Sequence, residues 1–186
     1  MDTPIELGVL DVLRASDVTR WQIVKTYRSQ SVAEHTFEVA TIALWLLERT
    51  RLTETISLSH YKAEILEWAL CHDMAEVITG DFPSPVKHIG TIKEQLRDVE
   101  DKFTFCGKKL GGAGNSRVAF VIKTADLIAD CCYLRRNANT KDMQVREVLM
   151  RLEQALESYN PAGYSAYTDA LMSKPITMET LFDVES

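Results

Sequence analysis

Four long segments of this chain repeat apolar residues at helical spacing, whereas no segment alternates apolar and polar residues strongly enough to predict a strand. These segments are residues 32–49, 59–73, 116–136 and 142–158, and weaker helical patterns cover residues 4–15 and 89–105. A helix with one apolar face must bury that face against a neighbouring element. The sequence therefore predicts an all-α fold, a single-domain helical bundle over residues 1–186.

A capping box predicts where the first long helix begins. Ser31 and Glu34 have the S-x-x-E spacing, at which the serine hydroxyl and the glutamate carboxylate each accept a hydrogen bond from the other residue's backbone N–H. The helix is therefore expected to begin at Val32, with His35 in its first turn. Residues 52–58, the glycine-rich residues 108–115 and the tail from Asn160 are expected to be connections or irregular chain.

Composition excludes several classes of function. The chain has 21 Lys plus Arg and 27 Asp plus Glu, and this net charge of −6 disfavours general binding of polymeric nucleic acid. No apolar run approaches a membrane span, and the N-terminus lacks the basic start of a secretory signal. The four cysteines form no C-x-x-C pair, so reduced thiols are expected rather than a zinc–cysteine site. We expect a soluble, cytoplasmic protein.

The densest group of reactive side chains lies in residues 71–88, CHDMAEVITGDFPSPVKH. His72 and Asp73 come at the predicted end of a helix, and Glu76 follows about one turn later. Imidazole and carboxylate ligands suit Zn, Mn, Co or Fe. Two prolines are expected to prevent a regular helix in the loop that follows. A His-Asp pair alone is more often structural, so a metal site needs further ligands.

His35 and Asp126 are the two candidates for those ligands. His35 lies 37 residues before His72 on a different predicted helix, a separation that packed antiparallel helices can bridge. Asp126 lies in an apolar helix, where an unpaired carboxylate is costly. Both residues also have structural explanations, because His35 could be a buried core histidine and Asp126 could pair with Lys123.

Residues 20–30, RWQIVKTYRSQ, have neither helical nor alternating spacing and predict an irregular segment. Trp21 could be a packed aromatic residue beside a solvated Arg20. The functional alternative is a stacking surface next to a cation that binds an anion.

The order of these motifs resembles the HD-domain phosphohydrolases. Within them the chain is most similar to the 5′-deoxynucleotidase-like branch, which includes phage dATP triphosphohydrolases of the 2-aminoadenine genome pathway. The matching pieces span roughly residues 20–130: Arg20-Trp21, SVAEH with His35, HDMAEVITGDFPSPVK, and KTAD with Asp126.

The resemblance implies a role for each matching residue. One divalent transition metal, Zn, Co or Mn, would be bound by His35, His72, Asp73 and Asp126, and a second divalent ion could accompany the phosphates. The catalytic residues would be Glu76 and Asp81. The substrate-binding residues would be Arg20, Trp21, Ile23, Pro85, Lys87 and Lys123. The resemblance also implies a homo-oligomer, a dimer or a hexamer, and the host cytoplasm if the chain is phage-encoded.

The substrate is left open between two deoxynucleotides. A deoxynucleoside triphosphate, dATP above all, would yield deoxynucleoside and triphosphate, whereas a monophosphate would yield deoxynucleoside and phosphate. The short link between the HD motif and Asp126 favours the triphosphate, for which Lys25, Arg28 and Lys93 could add positive charge. A guanosine alarmone fits less well, and a non-catalytic nucleotide sensor is the alternative from another class.

Overall fold

Helices α2 (Val32–Arg49) and α7 (Ser116–Asn137) pack against each other at the centre of the molecule. The computed structural model describes residues 4–49, 58–110 and 116–158. Helix α3 (Leu58–Cys71) packs on both central helices, and α8 (Met143–Ser158) packs on α7. The described residues form one mostly helical domain, which confirms the predicted fold class.

The remaining described elements are short. In chain order they are β1 (Ile5–Glu6), α1 (Val9–Leu13), α4 (Glu76–Thr79), α5 (Ser84–Lys87), α6 (Ile92–Glu100), β2 (Phe103–Phe105) and β3 (Lys108–Lys109). A 3-10 turn at Arg14–Ser16 continues α1. No helix in the described part of the chain is long and apolar enough to cross a membrane.

Three short strands, which the sequence did not predict, lie beside the helices. Strand β1 pairs in parallel with β2, and β2 pairs antiparallel with β3 in a small three-stranded sheet. Cys106 and Gly107 both have positive φ, 50° and 74°, as a two-residue hairpin turn of type I′ requires. Strands of two or three residues are too short to reveal an alternating pattern. The helices predicted over 4–15 and 89–105 therefore included β1 and β2, and β3 lies in the connection predicted over 108–115.

The loop with two prolines also differs from its prediction. Ser84–Lys87 forms one helical turn, α5, with Pro83 as its N-cap residue and Pro85 in its first turn. In the first turn of a helix the backbone N–H has no partner within the helix. Proline, which lacks this N–H, is therefore tolerated there. The predicted connection at residues 52–58 falls almost wholly outside the described residues, as do residues 111–115 and the tail from Asn160.

Backbone hydrogen bonds join the two ends of the irregular segment before α2 and attach the segment to the end of α7. Arg20 N–H donates to the Gln30 carbonyl at 2.8 Å, and Tyr27 N–H donates to the Asn137 carbonyl at 2.6 Å. Trp21 also packs against a buried cluster between α7 and α8 that includes Tyr133. These contacts confirm an irregular segment and hold Arg20 beside the central helices.

We predict that Ser31→Ala lowers the free energy of unfolding by about 1 kcal/mol, the usual loss for an N-cap serine. Glu34 N–H donates to Ser31 Oγ at 3.1 Å, and Ser31 N–H donates to Glu34 Oε2 at 2.9 Å. Urea denaturation followed by circular dichroism measures the change. Ser29→Ala, at an exposed position outside the helix, is the matched control. Equal stability of the two variants would contradict the capping assignment.

Candidate metal centre and active site

The ends of two helices bring the predicted ligands together. His35 lies in the first turn of α2 and is fully buried. Helix α3 ends at Cys71, so His72 and Asp73 lie in the turn that follows it. Because these two neighbours are outside the regular helix, their side chains can face the same space, which a continuing helix would prevent.

His35 Nε2 is the common centre of the four predicted ligands. It lies 3.1 Å from Asp126 Oδ1 and 3.5 Å from Asp73 Oδ2. His72 Nε2 lies 3.4 Å from His35 Nε2 and 3.3 Å from Asp73 Oδ2. Residues from α2, from the turn after α3 and from α7 therefore converge on one point, and we call this group the His35 cluster.

The spacing of these donor atoms fits one divalent transition metal. Nitrogen and oxygen ligands bind Zn²⁺ at about 2.0–2.2 Å, which puts adjacent ligand atoms roughly 3–3.6 Å apart. The distances within the His35 cluster lie in this range. In the described part of the chain, donor atoms within 4.8 Å form two groups that share His35: one with His72 and Asp73, the other with Asp126 and Asp130.

The hydrogen bond on the far side of His72 fixes which nitrogen faces the cluster. His72 Nδ1 lies 2.8 Å from the carbonyl oxygen of Ala69, and a carbonyl can only accept, so Nδ1 carries a proton. Nε2 is then the atom available to a metal. Burial alone would lower the pKa of His72, but Asp73, Asp126 and the Ala69 carbonyl together outweigh burial and raise that pKa to about 9. The carboxylates thus strongly favour a positive charge at this point.

The sequence left open whether Asp126 pairs with Lys123 or acts as a ligand, and the structure places its carboxylate where it can do both. Its Oδ1 faces His35, while its Oδ2 accepts a hydrogen bond from Lys123 Nζ at 2.7 Å. Burial would raise the pKa of Asp126, but Lys123 and His35 together hold it well below its ordinary value. Asp126 is therefore ionised, and its ion pair with Lys123 leaves one oxygen directed at the cluster.

A second acidic group lies beside the cluster, where α4 begins. Lys87 Nζ lies 3.5 Å from Glu76 Oε1 and 4.0 Å from Asp81 Oδ1, and so bridges the two predicted catalytic carboxylates. Gly80, with φ of 77°, makes the turn that returns Asp81 toward Glu76. Burial raises the pKa of Glu76 to about 9, and the charges of Asp73 and Asp81 add to that effect.

Arg20 reaches the cluster from the irregular segment. Its Nη1 donates to Asp73 Oδ2 at 2.8 Å, and its Nη2 donates to Asp130 Oδ1 at 2.9 Å. Asp130 is a site residue that the sequence analysis missed. It lies four residues after Asp126 in KTADLIAD, on the same face of α7, and this spacing is the signal that could have identified it.

Three buried side-chain atoms at the site have no hydrogen-bond partner among the described residues: Arg20 Nε, His35 Nδ1 and Glu76 Oε2. An unpartnered buried polar atom is costly, and it is common where a ligand or an ordered water completes a site. Together with the donor spacing, these atoms indicate a site built to bind something rather than a self-sufficient core.

Of the residues predicted to form the base and sugar pocket, Trp21 contacts residues outside the His35 cluster. Trp21 has a φ of 63°, rare for a bulky residue, and its Nε1–H donates to Gln30 Oε1 at 2.7 Å. Its ring stacks on Tyr133, with centroids 6.0 Å apart. Ile23 is half exposed and Pro85 is exposed on α5, and their place in a base pocket stays a prediction.

The sequence model of the 5′-deoxynucleotidase YfbR-like family matches residues 10–106. A dATP triphosphohydrolase of Acinetobacter phage SH-Ab 15497 is 40% identical over 131 residues, which cover 66% of this chain and 64% of that protein. A 5′-deoxynucleotidase of Shewanella oneidensis is 31% identical over 166 residues, which cover 78% of this chain and 82% of that protein.

A solved structure is similar in architecture to this chain. The HD phosphohydrolase DatZ of cyanophage S-2L, solved with dA and one catalytic Zn²⁺ ion, has a TM-score of 0.76 and 25% identity. The match covers 91% of this chain and 94% of DatZ.

We predict that Zn²⁺, Co²⁺ or Mn²⁺ raises the melting temperature of the chelator-treated protein. A ligand present at 100 times its dissociation constant stabilises the folded state by about 2.7 kcal/mol. His72→Ala should lose this shift because it removes a donor atom from the cluster. His88→Ala, an exposed histidine after α5, is the matched control. A full metal-dependent shift in His72→Ala would show that the ion binds elsewhere.

Proposed function

The chain belongs to the 5′-deoxynucleotidase YfbR-like family of HD phosphohydrolases, and we propose that it hydrolyses dATP to deoxyadenosine and triphosphate. Water would attack the α-phosphorus, the bond from phosphorus to the 5′ oxygen would break, and that oxygen would leave with a proton. The observation that carries this proposal is the convergence of three donor atoms within 3.5 Å of His35 Nε2.

In this proposal one divalent transition metal is held by His35, His72, Asp73 and Asp126. When bound, such an ion acidifies a water molecule and neutralises charge on a phosphate oxygen. The residues suit this role because two imidazole nitrogens and two carboxylates are a donor set that Zn, Co and Mn accept. A second divalent ion on the phosphates belongs to the same proposal.

We assign the proton transfers to Glu76 and Asp81. Glu76 is buried and its Oε2 has no hydrogen-bond partner among the described residues, so this oxygen can accept a proton from the attacking water. Asp81, which shares Lys87 with Glu76, would deliver the proton to the leaving 5′ oxygen. Burial raises the pKa of Glu76 and the neighbouring carboxylates raise it further, whereas a cation beside them would lower that pKa.

The phosphates would lie among Arg20, Lys87 and Lys123. The side chains of Lys87 and Lys123 are 34% and 48% exposed, so both ammonium groups can turn toward a ligand. Arg20 is held by two carboxylates and would supply a fixed positive charge. Arg28 is a weaker candidate for the outer phosphates, because its guanidinium is paired with Glu34 at 2.7 Å.

We place the sugar and base against Trp21, Ile23 and Pro85. The position of the Trp21 ring is fixed on one side by Tyr133 and at its N–H by Gln30, so it offers a rigid surface. A rigid apolar wall discriminates by shape, and each such contact is worth about 1–3 kcal/mol.

The second candidate is a 5′-deoxynucleotidase acting on a deoxynucleoside monophosphate. The family description and the Shewanella relative favour it, and the same residues could cut the same bond. The phage relative, at 40% identity, favours the triphosphate. A non-catalytic sensor would not need Glu76 and Asp81, so their presence beside the cluster argues against that function.

We also propose a homo-oligomer, a dimer or a hexamer, working in the cytoplasm where deoxynucleotides are found. Light scattering after size exclusion tests the assembly, and a single monomeric species would contradict it.

We predict that the metal-loaded protein converts dATP to deoxyadenosine and triphosphate. Parallel reactions with dAMP, dGTP and ATP, resolved by chromatography, identify the substrate and the bond that is cut. Asp126→Ala should abolish turnover because it removes a proposed ligand, whereas Asp98→Ala, exposed on α6, should not. Phosphate from dAMP with dATP unchanged would establish the monophosphatase instead, and no turnover of any of these substrates by protein that binds metal would favour the sensor.

We predict that Glu76→Gln lowers kcat by about 10²–10⁴-fold, the usual contribution of a general base. The amide keeps the shape of the side chain but cannot accept the proton, so metal affinity should change little. Steady-state kinetics and a metal titration on the same preparation test both statements. Glu94→Gln, exposed on α6, is the control. Unchanged kcat in Glu76→Gln would assign the base elsewhere.

A further inference from the structure

We propose that Asp130 is a positioning residue that orients His35 for metal binding and couples His35 to Arg20. This inference rests on the proposed metal site and assigns a role to a residue outside the four proposed ligands. It starts from the fully buried Nδ1 of His35, which has no hydrogen-bond partner among the described residues.

The two ring nitrogens of His35 face different groups. Nε2 faces His72, Asp73 and Asp126 at 3.1–3.5 Å. Nδ1 faces Asp130 Oδ1 at 3.6 Å, slightly beyond hydrogen-bond distance. A carboxylate on the nitrogen that does not bind the metal is a common arrangement in metal sites, where it fixes the tautomer, orients the ring and makes the other nitrogen a better ligand.

Asp130 is poorly placed to be a fifth ligand. Its Oδ1 faces Nδ1 of His35, and not the Nε2 atom at which His72, Asp73 and Asp126 converge. The same oxygen also accepts a hydrogen bond from Arg20 Nη2 at 2.9 Å. The same atom can accept hydrogen bonds from both Arg20 and His35, because a carboxylate oxygen has two lone pairs.

Arg20 therefore links the cluster on two sides. One of its nitrogens donates to Asp73, a proposed ligand, and the other donates to Asp130, which faces another ligand, His35. This series of contacts, from Asp73 through Arg20 and Asp130 to His35, fixes the positions of the Asp73 and His35 side chains relative to each other. A shift of a few tenths of an ångström in His35 brings Nδ1 within hydrogen-bond distance of Asp130.

The first test needs no substitution. The chain has four histidines, so the ¹⁵N-labelled imidazoles of the Zn²⁺-loaded protein can be assigned by NMR. We expect His35 to carry its proton on Nδ1, to bind zinc through Nε2, and to exchange that proton slowly. A proton on Nε2, or zinc on Nδ1, would overturn the proposal.

The second test is Asp130→Asn, which keeps the size of the side chain and removes its charge. Loss of a residue in this position weakens metal binding by about 10–100-fold. We expect a loss of that size in a Co²⁺ or Zn²⁺ titration against a competing chelator. We also expect faster exchange of the His35 Nδ1 proton. Asp98→Asn is the matched control, and circular dichroism confirms that the variant folds.

A double-mutant cycle with Arg20→Met separates positioning from charge balance. If Asp130 acts on His35, Asp130→Asn weakens metal binding in the Arg20→Met background as well. If Asp130 only balances the charge of Arg20, adding Asp130→Asn to Arg20→Met has no further effect on metal affinity, and the proposal fails. Equal metal affinity of Asp130→Asn and the parent protein would also overturn it, whereas a parent protein that binds no metal would overturn the proposed function with it.

Discussion

The site depends on one costly arrangement, the complete burial of His35 among three carboxylates at the crossing of α2 and α7. His35 Nε2 faces Asp73 and Asp126, and Nδ1 faces Asp130. Burying several charges of the same sign is unfavourable unless cations offset them. Arg20 and Lys123 supply part of that positive charge, and a divalent ion at His35 Nε2 would supply the rest.

The surrounding structure is what keeps these groups in place. The end of α3 at Cys71 lets His72 and Asp73 face one point, and the backbone contacts of residues 19–31 hold Arg20 against the helices. Trp21, in its left-handed conformation, packs beside Tyr133 and anchors the same segment. Because strained backbone persists only where its surroundings hold it, this segment is part of the site and not merely a connection.

The sequence predicted the long helices well, because each repeats apolar residues at helical spacing over several turns. The capping box at Ser31 gave the first residue of α2 correctly. The sheet was missed because its strands are two or three residues long and depend on pairing between Ile5 and Phe103, far apart in sequence. Tertiary pairing of this kind leaves no periodic signal.

Motif order predicted which residues converge, but not how their charges are balanced. Lys87 was predicted to bind phosphate, and the fold shows in addition that it bridges Glu76 and Asp81. Asp130 was missed because its spacing from Asp126 places both on one face of α7 but does not show that its carboxylate lies beside His35 and Arg20. The most direct test of the proposed metal site is a crystal of this protein soaked with Zn²⁺ or Mn²⁺, with the ion located by anomalous scattering. We predict one strong peak within bonding distance of His35 Nε2, His72 Nε2, Asp73 and Asp126. A peak at exposed carboxylates, with the His35 cluster empty, would contradict it.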